Sequence, residues 1–204
     1  VIDSPPTGST TATLTSAVGT YPITVSGGTD NNYTFTYASG TLTIAQALLT
    51  ATADNKSRLY GDANPAFTIS YSGFKNNETA SVIDSAPAAS SAATVTSNVG
   101  TYPISVSGGQ DNNYSFSYTA GTLTINKATL AVTADNKARL YGDANPALTI
   151  SYTGFKNSET ASVIDTAPTA STTAVLASNV GTYPITAAGG TDNNYAFAYT
   201  DGTL

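Results

Sequence analysis

One property constrains this sequence more than any other: it repeats with a period of 81 residues and no insertion or deletion. Residues 54–66 read DNKSRLYGDANPA and residues 135–147 read DNKARLYGDANPA. VGTYPI begins at Val18, Val99 and Val180, DNNY at Asp30, Asp111 and Asp192, and GTL at Gly40, Gly121 and Gly202. The two full copies agree at about seven positions in ten, the self-similarity of a repeat array. The period exceeds the 20–50 residues of a solenoid unit and suits a small domain. The expected organisation is the back half of a copy in 1–45, then complete copies at 46–125 and 126–204.

Within a copy the dominant pattern is period-two alternation, the mark of a half-buried strand. Tyr114, Phe116 and Tyr118 alternate with small residues, as do Tyr33, Phe35 and Tyr37, and Tyr195, Phe197 and Tyr199. Most tyrosines are therefore expected to face a core. Leu130, Val132 and Ala134 form another set; Phe67, Ile69 and Tyr71 a third; Tyr102, Ile104 and Val106 a fourth. Pro103 interrupts the last and predicts an edge strand, or a missing donor that faces outward. Leu123 and Ile125 change parity relative to the aromatics before them. A two-residue turn at Ala120-Gly121, placing Tyr118 opposite Leu123, accounts for that change. The one helical signal is short, at 77–83, with Asn77 as a cap. Six or seven short strands and one short helix per copy predict a mainly β chain, a tandem array of small immunoglobulin-like β-sandwich domains. The alternative is a β-grasp repeat.

Composition narrows the chemistry. His and Cys are absent, which removes the common zinc, iron and copper sites and the usual nucleophile–base pairs. Seven basic residues against thirteen acidic give a net charge of −6, with no basic cluster for nucleic acid. No apolar run is long enough to span a membrane. No acid, base or nucleophile sits in a recognisable catalytic motif, so no enzyme and no resident cofactor are expected. Asp30, Asp111 and Asp192, each followed by two asparagines, are calcium candidates by ligand type, although Asp and Asn also favour turns. Lys56, Lys75, Lys137 and Lys156, beside Asn and Glu, raise an isopeptide cross-link as a reading, against which their polar surroundings argue.

The segment YGDANP reads as a turn motif: Tyr60, Gly61, Asp62 and Pro65, and again Tyr141, Gly142, Asp143 and Pro146. Its glycine supplies a backbone conformation closed to other residues, and its proline extends the preceding asparagine. The ordered motifs ADNK-x-RLYGDANPA, SGF or TGF, ETASV, VGTYPI, NNY and GTL resemble the MBG repeat domain of the YGX type along the whole chain. The resemblance implies an extracellular array on a bacterial cell surface, in adhesins or filamentous-haemagglutinin-like exoproteins. It carries over no catalytic residues. The expected role is a stalk that spaces a distal binding region from the cell, with neighbouring repeats as partners. The alternatives are repeats that bind a glycan or surface protein, or a filament subunit that associates laterally.

Overall fold

A computed structural model describes residues 1–204, and the chain divides into two compact units whose bounds cut across the 81-residue copies. Unit 1 holds Val1–Asp54, Thr68–Ser90 and Ser105–Ala120; unit 2 holds Asn55–Phe67, Ser91–Ile104 and Gly121–Leu204. Strands dominate both.

Unit 1 contains two three-stranded sheets. The first runs β1 (Thr7–Thr10), β2 (Gly19–Ser26), β3 (Gly40–Ile44), all antiparallel. The second places β4 (Ala47–Ala53) between β6 (Ile69–Ser72), antiparallel, and β9 (Tyr114–Thr119), parallel. Leu49, Ala51 and Ala53 alternate inward along β4 and are buried, while Leu48 faces out. Short β7 (Ala88–Ser90) pairs with the last three residues of β8 (Gly100–Ser107).

Unit 2 contains three sheets. In the first, β10 (Gly121–Asn126) lies between β5 (Lys56–Leu59), parallel, and the first five residues of β8, antiparallel. The second places β11 (Ala128–Ala134) between β12 (Ile150–Thr153) and β15 (Tyr195–Thr200). The third runs β13 (Thr169–Thr172), β14 (Pro184–Ala188), β16 (Gly202–Thr203). Val132 and Ala134 of β11 meet Ile185 and Ala187 of β14 in one buried cluster, so the last two sheets face each other. Burying an aliphatic side chain such as Val132 or Ile185 stabilises by about 1.5–3 kcal/mol. The sheets are mixed rather than purely antiparallel: β4–β9, β5–β10 and β11–β15 are parallel pairs.

Several local expectations change. No hairpin forms at Ala120-Gly121: β9 pairs with β4 and β10 with β5 and β8, so the chain leaves one sheet and enters another there. The parity change records that crossing. At the equivalent Gly202, a side chain would sit 2.3 Å from the Ala134 carbonyl oxygen, so the crossing requires glycine. Residues 33–37 form no strand, whereas their counterpart β9 is held by β4. The helical signal shrinks to single 3-10 turns, Ala80–Val82 and Ala161–Val163. Asn77 does not cap: it has φ 59°, and the residue before the turn is Thr79. Pro103 keeps its outward option. Tyr183 and Leu204, one copy later, exchange both backbone hydrogen bonds, so the next residue, Pro184, has its nitrogen facing away from the paired strand. The tyrosines divide. Tyr114 and Tyr195 are buried, whereas Tyr118 and Tyr199 are more than 40% exposed, their hydroxyls donating to the Gly108 and Gly189 carbonyls.

Candidate functional site

The turn motif is built from the backbone outward. After β5, the Tyr60 amide donates to the Asn126 carbonyl at 2.8 Å, continuing the parallel pairing one residue further. Gly61 then takes φ 77°, a conformation that L side chains rarely adopt, and the Asp62 amide closes the turn on the Leu59 carbonyl. Arg58, buried inside the turn, donates Nε to Asn64 Oδ1 at 2.8 Å and a guanidinium nitrogen to the Leu59 carbonyl at 3.0 Å. Asn64 in turn donates to the Ala93 carbonyl at 2.7 Å. Arg58 and Asn64 thus satisfy carbonyls of the turn and of the neighbouring segment.

Within unit 2 this turn sits against residues of the following copy. The Tyr60 hydroxyl donates to Glu159 Oε1, and the Tyr195 hydroxyl donates to Glu159 Oε2, both at 2.6 Å. The two rings meet edge to face with centroids 5.6 Å apart. Tyr195 also accepts the Lys156 amide at 2.8 Å, and Lys156 Nζ lies 2.9 Å from Asp62 Oδ1. Burial, and then the hydrogen bond to Glu159, push the pKa of both phenols up from the ordinary tyrosine value. One carboxylate thus accepts two neutral phenols. The arrangement is a clasp, in which charge-assisted hydrogen bonds tie the copies together.

The same residue types occupy two other states. In unit 1 the Tyr114 hydroxyl donates to Glu78 Oε2 at 2.5 Å and accepts the Lys75 amide at 2.8 Å, repeating the receiving half of the clasp. In unit 2, residues 141–143 repeat the inserting half. Gly142 has φ 86° and the Asp143 amide reaches the Leu140 carbonyl, while Tyr141 is 67% exposed. Pro65 and Pro146 follow the two asparagines at half-buried positions.

The three DNN aspartates cap their own loops. Asp111 Oδ1 accepts the Asn113 and Tyr114 amides, Asp192 Oδ1 the Asn194 and Tyr195 amides, and Asp30 Oδ1 the Asn32 and Tyr33 amides. Asp84 Oδ2 accepts the Asn112 backbone and side-chain nitrogens. The carboxylates are committed to turn amides, and nowhere do three acidic side chains converge. Sequence reasoning placed Tyr195 in a core and Glu159 only in the ETASV motif. Their shared role appears only when Tyr60, 99 residues from Glu159, is brought beside them.

No curated protein matches the chain. The MBG domain (YGX type) family matches residues 2–43, 49–124 and 130–204, three successive repeats that cover nearly all of it. Together with the fixed 81-residue period and the paired turn and clasp, these matches show that the chain belongs to the MBG domain (YGX type) family.

Proposed function

We propose that the chain is a stalk segment of a bacterial adhesin: a run of repeats, outside the cell, that holds a distal binding region away from the surface. Family membership supports a repeat region of a surface protein, and the family is one of structural repeats rather than enzymes. No helix is long and apolar enough to cross a membrane. The increments of length are the copies 46–125 and 126–204, with 1–45 as a further back half.

One observation carries this reading, the junction between successive copies within unit 2. β10 ends at Asn126 and β11 begins at Ala128, so Lys127 alone links them. Lys127 is itself tied down, its Nζ donating to the Asp192 carbonyl at 2.6 Å. The Tyr60–Glu159–Tyr195 clasp adds a second connection beside the covalent one. A one-residue link plus a side-chain clasp resists hinging, which is what a spacer needs and a flexible tether lacks. Small-angle scattering on chains of two, four and six copies tests it. The maximum dimension should grow by a constant increment per copy, about 35–40 Å from strand length and turns. Growth as the square root of copy number would sink the stalk.

A second reading, repeats that bind glycan, rests on a surface of unit 1. The Phe116 and Tyr118 rings are stacked, 6° from parallel with centroids 6.3 Å apart. They border an open cleft of about 760 Å³ lined by Gln46, Asp84, Asp111 and Asn112. A flat aromatic face beside amides and carboxylates suits a sugar ring. Binding on a glycan array that is lost in Tyr118→Ala supports this reading; no binding to any glycan removes it.

A further inference from the structure

Strand polarity decides how tension along a chain meets each ladder of hydrogen bonds. Pulling draws the N-terminal end of an earlier strand one way and the C-terminal end of a later strand the other. In a parallel pair those two points lie at opposite ends of the ladder, so all its bonds are loaded together. In an antiparallel pair they lie side by side, and the bonds open one after another.

In both complete copies the parallel ladders join opening strands to closing ones. β4 and β9 share six pairs, from Ala47 with Tyr114 to Thr52 with Thr119. β11 and β15 share six, from Ala128 with Tyr195 to Thr133 with Thr200. β5 and β10 add four more, from Lys56 with Leu123 to Leu59 with Asn126. The remaining ladders of these copies, β4–β6, β7–β8, β8–β10, β11–β12, β13–β14 and β14–β16, are all antiparallel. Residues 54–113 and 135–194 therefore lie behind the β4–β9 and β11–β15 ladders, between their two strands in sequence.

The β11–β15 ladder shows what such loading meets. Tension enters at Ala128, whose amide donates to the Asn194 carbonyl at 3.0 Å. It leaves after Thr200 through Gly202, where a Cβ would lie 2.3 Å from the Ala134 carbonyl oxygen at the far end of β11. The seven residues of β11 separate entry from exit by about 20 Å. Leu130 and Val132 are fully buried, and a one-residue slip would turn both out of the core. The ladder thus has no adjacent register into which it can relax.

We propose that the β4–β9 and β11–β15 ladders are load-bearing clamps, which give each complete copy a resistance to tension along the chain that folding stability alone does not supply. The inference rests on the stalk reading only for the source of the tension. Once a clamp gives way, the antiparallel ladders behind it are pulled from one end and peel, so each copy yields in a single step.

Single-molecule force spectroscopy on the whole chain tests the clamp by changing the direction of pull. The chain has no cysteine, so handles can be attached at introduced pairs. Thr129→Cys with Thr200→Cys loads β11–β15 from opposite ends; Thr129→Cys with Asn193→Cys loads it from one end. All three positions are exposed, and urea unfolding of the two variants should match. At one loading rate the opposite-end pull should need several-fold more force. It should release about 70 residues, roughly 240 Å of extended chain, in one step. Equal forces in the two directions overturn the clamp, as does stepwise yielding under the opposite-end pull. Scattering that denies a rod would remove the stalk and leave this directional difference intact, so the two readings fail separately.

Discussion

Residues 60–62 and 141–143 spell the same Tyr-Gly-Asp and take the same turn, with φ 77° at Gly61 and 86° at Gly142, yet Tyr60 is 4% exposed and Tyr141 67%. The backbone conformation is therefore local, set by glycine and by the amide that closes the turn. Burial is not local. It is conferred by Lys156, Glu159 and Tyr195 of the following copy, which meet the first turn and not the second. One motif thus has two energetic values, and substitutions at paired positions can separate what the turn costs from what the clasp contributes.

The largest difference is expected at the glycines. A Cβ on Gly61 would lie 2.3 Å from Lys156 Cβ, whereas a Cβ on Gly142 meets nothing within 4 Å. Gly142→Val should cost about 1–3 kcal/mol, the strain of a β-branched residue at positive φ. Gly61→Val should add overpacking of about 1–3 kcal/mol to the same strain. Urea unfolding of both variants measures the gap. Equal losses would mean that the clasp yields freely and contributes nothing to burial.

A smaller gap is expected at the phenols. Tyr60→Phe keeps the ring packing and deletes the donor to Glu159 Oε1, costing about 1–2 kcal/mol because the acceptor is a carboxylate. Tyr141→Phe, where the hydroxyl makes no bond within the chain, should fall within about 0.5 kcal/mol of the parent. If both variants melt with the parent, the hydrogen bond is isoenergetic with water and only the ring matters.

The contrast also has a pH signature. Burial, and then the Glu159 hydrogen bond, raise the folded pKa of Tyr60 and Tyr195 above the unfolded value of about 10. A raised folded pKa means that folding favours the neutral phenol. That contribution is fully present below about pH 10 and is lost as the pH rises from there through the folded values. Stability should be level from pH 8 to 10 and then decline, and Tyr60→Phe should make the decline shallower. An unchanged alkaline limb in that variant would remove Tyr60 from the linkage.

What could be read from the sequence follows the same division. Alternation along Leu130, Val132 and Ala134 correctly placed an inward face, because the pleat imposes period two on any half-buried strand. Positive φ at Gly61 and Gly142 was legible because the requirement lies in the residue itself. The Ala120-Gly121 hairpin was misread because adjacent alternating runs resemble partners. Tyr118 instead pairs with Ala51 in a parallel ladder 67 residues away. Parallel pairing leaves no turn signature between the strands it joins. The clasp was illegible for a related reason: Glu159 looks like any polar loop residue until Tyr60 and Tyr195 converge on its two oxygens.

The smallest effect is expected where the geometry looks most suggestive. Lys156 Nζ and Asp62 Oδ1 are 2.9 Å apart, beside a carboxylate that already holds two phenols. Both side chains are more than a third exposed, so solvent and salt screen their attraction, and such pairs contribute about 0–1 kcal/mol. Asp62→Asn should therefore lower stability by less than about 1 kcal/mol, by less still at 1 M salt, and Asp143→Asn should do nothing measurable. The same exposure bears on covalent chemistry. An amide between this lysine and this aspartate would need the two groups enclosed away from water, and side chains this exposed are not. The intact mass should equal the sequence mass. A deficit of one water, absent in Asp62→Asn, would show that the pair is a cross-link, and the clasp around Glu159 would then be the site that formed it.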